Sequence, residues 1–173
     1  MLSKYIDVGE VLRPQGIEGL VKVRPDTEAP ERFLELKNLY VRKGDVYEEA
    51  QISDVSVRDD FVYLRLNGVK TRNEAEAQRG SILSLSRSQA RELPEGEWFV
   101  CDLIGCRVTG DQGTDIGVLR DVLLTGPNPV LVIGTKKGSL LVAMMKFVLS
   151  EVDPEAGRIV LNEARLPEVA VYE

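Results

Sequence analysis

The chain has 173 residues, 43% of them apolar and 29% charged. That is room for one large domain or two small ones, and too apolar for a disordered chain. There is no histidine, which excludes Ser-His-Asp and Cys-His catalysis and any zinc site that needs imidazole. It also removes the side chain most used for proton transfer near neutral pH. Val and Ile number 30 against 9 Ala, and branched side chains suit a pleated strand better than a helix, so the composition leans to β.

The net charge of −6 is uneven. Residues 1–92 carry 15 Lys and Arg against 16 Asp and Glu, whereas residues 93–173 carry 7 against 12. The acidic half suits a basic partner, or serves solubility alone, and the near-neutral half has room for local basic patches. The start, MLSKYIDVGE, has no apolar stretch or cleavage signal, and the longest apolar run is Leu140 to Met145. Both are far short of a membrane span, and the expectation is a soluble, cytoplasmic protein. Cys101 and Cys106 cannot close a zinc site alone and read as two reduced, partly buried thiols.

In chain order, Tyr5–Arg24 predicts two strands around a loop holding Gly16 and Gly19. The loop reads as a plain turn or as a phosphate cradle, although no Lys-Ser/Thr follows as in a P-loop. Arg13, Lys22 and Arg24 flank it and are the candidate RNA contacts, with side chains aimed at phosphates beside exposed backbone amides. Solvated strand ends are the plainer alternative. Pro30–Phe33 reads as the first turn of a short helix. Leu39–Arg42, Tyr47–Val57 and Phe61–Leu66 read as strands. In the last, Phe61, Tyr63 and Arg65 face one way and Val62, Leu64 and Leu66 the other.

Asn73 reads as the cap of a short helix, with Glu76 three residues on and Gly80 closing it. Ile82–Leu85 is a further strand, and Ser88–Leu93 one or two helical turns. Pro94-Glu95-Gly96 marks a domain edge. Trp98–Leu103 is apolar, and as neighbours along a strand Trp98 and Phe99 would put their rings on opposite faces. Cys106–Val108, Ile116–Leu124 and Pro129–Ile133 follow as strands. Leu140–Val152 favours a hairpin with Arg158–Leu161 over a helix, and Leu166–Val171 either docks or frays. The chain thus predicts an all-β protein of two small barrels with a few short helices: residues 1–92, a linker at 93–97, and residues 98–173.

The Trp98-Phe99 pair is either core filler or a partner contact, since Trp buries a large area at little entropic cost. Asp102 lies between apolar residues, so its carboxylate is either a hydrogen-bonded anchor or faces a partner. Asp59-Asp60 and Asp111/Asp115 read as turns.

These residues resemble the RimM family of ribosome maturation factors. The matching stretches are VGEVLRPQGIEGLVKVRPDTEAPERF (Val8–Phe33), GVKTRNEAEAQRG (Gly68–Gly80), EGEWFVCDLIGCRV (Glu95–Val108) and IGVLRDVLLTGPNPVLVI. The resemblance implies a translation-factor-like barrel facing RNA, followed by a PRC-barrel domain that binds a ribosomal protein. It implies a non-enzymatic factor without cofactor or metal. Such a factor binds the immature small (30S) ribosomal subunit and assists head assembly and 16S rRNA processing, as a monomer and with no membrane. The implied protein partner is a basic protein of the subunit head, the nineteenth small-subunit protein, contacted through Trp98, Phe99 and Asp102. The implied RNA-facing residues are Arg13, Gly16, Gly19, Lys22 and Arg24. Four positions depart from the family pattern: Gln15 stands where His is usual, Trp98-Phe99 where Tyr-Tyr is usual, and Ala143 where Pro is usual. The competing readings are a small β-barrel enzyme working through Asp102 and a general protein-interaction adaptor with no RNA contact.

Overall fold

A computed structural model describes residues 2–173. The chain divides into two compact units, Lys4–Arg91 and Glu92–Glu173, the latter joined by Leu2 and Ser3.

The first unit is a closed antiparallel barrel. Its strands are β1 (Tyr5–Gln15), β2 (Leu20–Pro25), β3 (Asn38–Lys43), β4 (Val46–Arg58), β5 (Phe61–Leu66) and β6 (Ile82–Ser86), in the order β1-β2-β5-β4-β3-β6. Alternation along the strands puts Val21 and Val23 of β2, Leu39 of β3, Val62 and Leu64 of β5 and Leu83 of β6 fully inside. β6 closes on β1 with Leu83 opposite Gly9, so the barrel has no free edge. Phe33, on the short 3-10 turn Pro30–Glu35, and Ala75, on the helix α1 (Arg72–Glu76), are packed into the same core. Asp59 and Asp60 both have positive φ, 49° and 64°. That is the backbone of a two-residue hairpin turn between β4 and β5, and it is what these acids are for.

The second unit is a seven-stranded sheet curled into half a barrel. Its strands are β7 (Arg107–Gly110), β8 (Asp115–Leu123), β9 (Val130–Thr135), β10 (Gly138–Ala143), β11 (Leu149–Asp153), β12 (Arg158–Leu161) and β13 (Ala170–Tyr172), in the order β11-β12-β7-β8-β9-β10-β13. The sheet is open in hydrogen bonding, with β11 and β13 as its edges. β12 and β7 run parallel and the other pairs antiparallel. Leu103, Val108, Leu119, Leu131, Ile133, Val142, Val148, Ile159 and Leu161 form its core. The chain's end docks, with Tyr172 opposite Leu140. Ala143 N–H donates to Val169 C=O at 3.1 Å, a bond that proline could not make.

The all-β reading holds, with local corrections. The cap of α1 is Thr71, not Asn73. Thr71 is extended, and its Oγ1 accepts from Glu74 N–H while Glu74 reaches back to Thr71 N–H, so the reciprocal pair lies two residues earlier than the spacing suggested. Trp98–Leu103 is not a strand. Phe99 is the last extended residue, and the chain then turns into the short helix α2 (Val100–Leu103) as Asp102 N–H donates to Phe99 C=O. Ser88–Leu93 carries only the end of one 3-10 turn, Arg87–Gln89. Leu140–Val152 is broken by a turn at 144–148: Leu149–Asp153 forms the hairpin with Arg158–Leu161, whereas Leu140–Ala143 belongs to β10 and pairs with β9 and β13. No helix among the described residues is long and apolar enough to cross a membrane.

Candidate functional site

On the barrel, the register places Arg13 of β1 directly opposite Lys22 of β2, and Lys22 opposite Tyr63 of β5. Since Val21 and Val23 face the core, Lys22 faces out. Its Nζ lies 3.8 Å from the centroid of the Phe61 ring. The Arg58 guanidinium lies 4.3 Å from the Tyr63 centroid. The outer face of β5 therefore carries two rings, each under a cation, an arrangement that attracts the cation to the ring quadrupole. Tyr63 is only 9% exposed although its side of the strand faces away from the barrel interior, because Arg58 and Lys22 cover it. Arg13 is exposed and has no acidic partner among the described residues. Arg24 is different: its guanidinium is paired with Glu10, the residue opposite it on β1, so most of its charge is locally balanced.

The β1–β2 loop is held at both ends. Arg72, at the start of α1, donates to Gly16 C=O at 3.0 Å. Arg65 of β5 donates to Glu18 C=O at 2.7 Å and pairs with Asp54 at 3.0 Å. Gly16 and Gly19 both have positive φ, 72° and 89°. Gly19 has a second reason to be glycine: a Cβ there would sit 2.4 Å from Val69 C=O. An open groove beside the loop is lined by Glu18, Gln51, Ser53, Arg65, Asn67 and Lys70 among others. The Glu74 carboxylate that caps α1 accepts Lys70 N–H and Thr71 N–H, and these bonds hold its pKa below the ordinary glutamate value.

Sequence reading singled out Arg13, Lys22 and the glycines but not Arg58, Phe61 and Tyr63, which lie beside Lys22 only through the pairing of β5 with β2 and β4. It also missed a second exterior cluster. Tyr5 stacks on Tyr47 with centroids 4.0 Å apart and lies 4.9 Å from Tyr40. Lys4 lies 5.4 Å from the Tyr5 centroid, and Arg42 pairs with Asp7 at 2.8 Å.

In the second unit, Trp98 is half-buried and packs against the core, while Phe99 is half-buried at the start of α2. Asp102 is buried, and its Oδ1 accepts Ser3 N–H at 2.9 Å. Ser3 Oγ also donates to Cys101 C=O at 3.2 Å. The carboxylate is thus an anchor for the chain's own backbone and does not present itself as a surface group. Neither cysteine is in a disulfide, and burial pushes the Cys106 thiol pKa up. Exposed apolar side chains that the sequence did not single out include Ile104, Leu124, Val171 and Tyr172. Many acids of this unit already have work: Asp115 pairs with Arg107, Glu151 with Arg158 and Glu168 with Arg165, and Asp111 accepts Glu163 N–H. No group of three or more acidic or cysteine side chains among the described residues is placed to hold a metal ion.

A model of the RimM N-terminal domain matches residues 6–90, and a model of the RimM PRC barrel domain matches residues 100–165. The chain is 36% identical over 162 residues to the ribosome maturation factor RimM of Caldanaerobacter subterraneus subsp. tengcongensis, spanning 92% of this chain and 96% of that protein. It is 35% identical over 164 residues to the ribosome maturation factor RimM of Acetivibrio thermocellus, spanning 93% and 94%. The solution structure of the N-terminal domain of RimM from Thermus thermophilus is 22% identical with a TM-score of 0.43, covering 53% of this chain and all of that one.

Proposed function

The chain belongs to the RimM family, a non-enzymatic family of ribosome maturation factors, and from that premise we propose that it binds the immature small ribosomal subunit and assists head assembly and 16S rRNA processing. The observation that carries this reading is the match of both family domains, in order, over most of the chain.

In the proposed division of labour the barrel faces 16S rRNA. Arg13 and Lys22 meet phosphates, beside the Gly16–Gly19 loop, while Arg24 contributes less because Glu10 balances it. Arg58 joins them from β4, over the Tyr63 ring. The second unit meets the basic head protein, the nineteenth of the small subunit. Its net charge suits a basic partner,, and Trp98 and Phe99 supply the apolar contact. With Trp-Phe in place of the family's Tyr-Tyr, that contact loses two hydroxyls and rests on ring area. Asp102 serves it indirectly, by tying the start of α2 to Ser3.

No bond chemistry is involved. Binding one fold of the head more tightly than the others shifts the population towards it. The factor leaves when the mature head offers less, so a monomer working in the cytoplasm can be reused. The test is to add the purified chain to immature small subunits and follow precursor 16S rRNA and head-protein incorporation. Faster conversion of both supports the proposal; conversion at the unassisted rate sinks it.

A further inference from the structure

At the tip of the β1–β2 loop, Ile17 is 78% exposed, the most exposed large apolar side chain among the described residues. A lone exposed apolar residue is by itself ordinary on a protein surface. This loop is fixed. Arg72 holds Gly16 C=O, Arg65 holds Glu18 C=O, and Gly19 is seated against Val69 where no side chain fits. The arginines come from two different elements, α1 and β5, and each grips the carbonyl of a residue flanking Ile17. Fixing a loop removes the ordering cost that binding would otherwise carry.

We infer that Gly16–Gly19 is a preorganised finger whose Ile17 side chain packs on RNA, against a ribose or an unstacked base, with Arg65 and Arg72 as its positioning residues. This inference rests on the RNA-facing reading of the barrel. Charge favours RNA over a protein partner. The cations around the finger are Arg13, Lys22, Arg65, Lys70 and Arg72, against the acids Asp54, Glu74 and Glu18. Asp54 is paired with Arg65, which leaves Arg13, Lys22, Lys70 and Arg72 against the carboxylates of Glu74 and Glu18, so cations still outnumber acids around the finger. Apolar side chains are used in this way on nucleic acids, packing on bases and sugars while neighbouring cations meet phosphates.

The experiment uses the full chain and free immature small subunits over a salt series. Ile17→Ser is expected to weaken binding about tenfold at every salt concentration, the effect of losing one buried apolar contact, without changing the salt slope. Arg72→Ala is expected to speed amide exchange at Ile17 and Glu18 and to weaken binding several-fold. A photoreactive side chain in place of Ile17 is expected to label RNA. Binding by Ile17→Ser within twofold of the parent, or faster exchange in Arg72→Ala with unchanged affinity, or label in a ribosomal protein would each overturn the finger. Arg13→Ala with Lys22→Ala separates the two levels. If that pair flattens the salt slope while Ile17→Ser is silent, the RNA-facing reading stands and the finger is wrong. If the pair leaves the slope unchanged, the RNA-facing reading fails and the finger with it.

Discussion

Lys22 lies over the ring of Phe61, with its ammonium 3.8 Å from the ring centroid. The two residues are 39 positions apart and meet because β2 pairs with β5. The ring holds the ammonium on the outer face of the barrel without neutralising its charge. A phosphate can therefore still be met.

That placement gives the first prediction. Replacing Arg13 and Lys22 together by Ala should reduce the slope of log binding constant against log salt by about 2, one for each lost phosphate contact. Binding to small subunits measured from low to moderate salt checks it. An adaptor that touches only protein would show no such change.

The Trp98-Phe99 pair should separate stability from binding. Trp98 packs on the second core, so Trp98→Ala should cost about 2 kcal/mol of stability, at the low end because the ring is only half-buried. Phe99→Ala should cost less. The double variant should weaken subunit binding more than Lys136→Ala with Lys137→Ala, the two lysines of the turn between β9 and β10. If the double variant is folded at the assay temperature and binds like the parent, the pair is not a partner contact.

The two loop glycines should differ. Gly16→Ala meets open space and only the cost of a positive φ, about 1 kcal/mol,. Gly19→Ala meets both a positive φ and Val69 C=O at 2.4 Å, and should cost about 3 kcal/mol or partly displace the loop. Thermal unfolding of the two variants side by side gives the comparison.

The α1 cap carries a pH dependence. The folded-state pKa of Glu74 lies below its ordinary value because the carboxylate accepts two backbone N–H groups. The stability it contributes is therefore fully present above about pH 4.5 and lost as pH falls through the folded pKa. Glu74→Ala should be less stable than the parent at pH 7, and the gap should close on acidification. A gap that stays constant down to about pH 3, below the ordinary glutamate range, would mean the cap acts through something other than its charge.

Most strands were legible because alternation with a buried face is a strong local signal. Phe61–Leu66 is the clearest case. Where the signal was local but ambiguous, the boundary moved. At α1, Thr71 and Asn73 both have caps' chemistry, and the chain uses the earlier one. At Trp98-Phe99 an apolar run before Gly105 reads equally as a strand or as the lead-in to a helical turn. The site was less legible. Arg13, Lys22 and the glycines stand close in sequence and could be proposed from it. Arg58, Phe61 and Tyr63 reach them only through strand pairing, and Arg65 and Arg72 reach the loop only through the fold. Asp102 shows the converse: its odd position between apolar residues was visible, but its partner, Ser3, is 99 residues away.

The most direct test of the central claim is co-sedimentation of the purified chain with immature small subunits, mature small subunits, large subunits and intact ribosomes. The account predicts binding to immature small subunits, weaker binding to mature ones and none to the others. Equal binding to immature and mature small subunits, or binding to none by a folded sample, would contradict it.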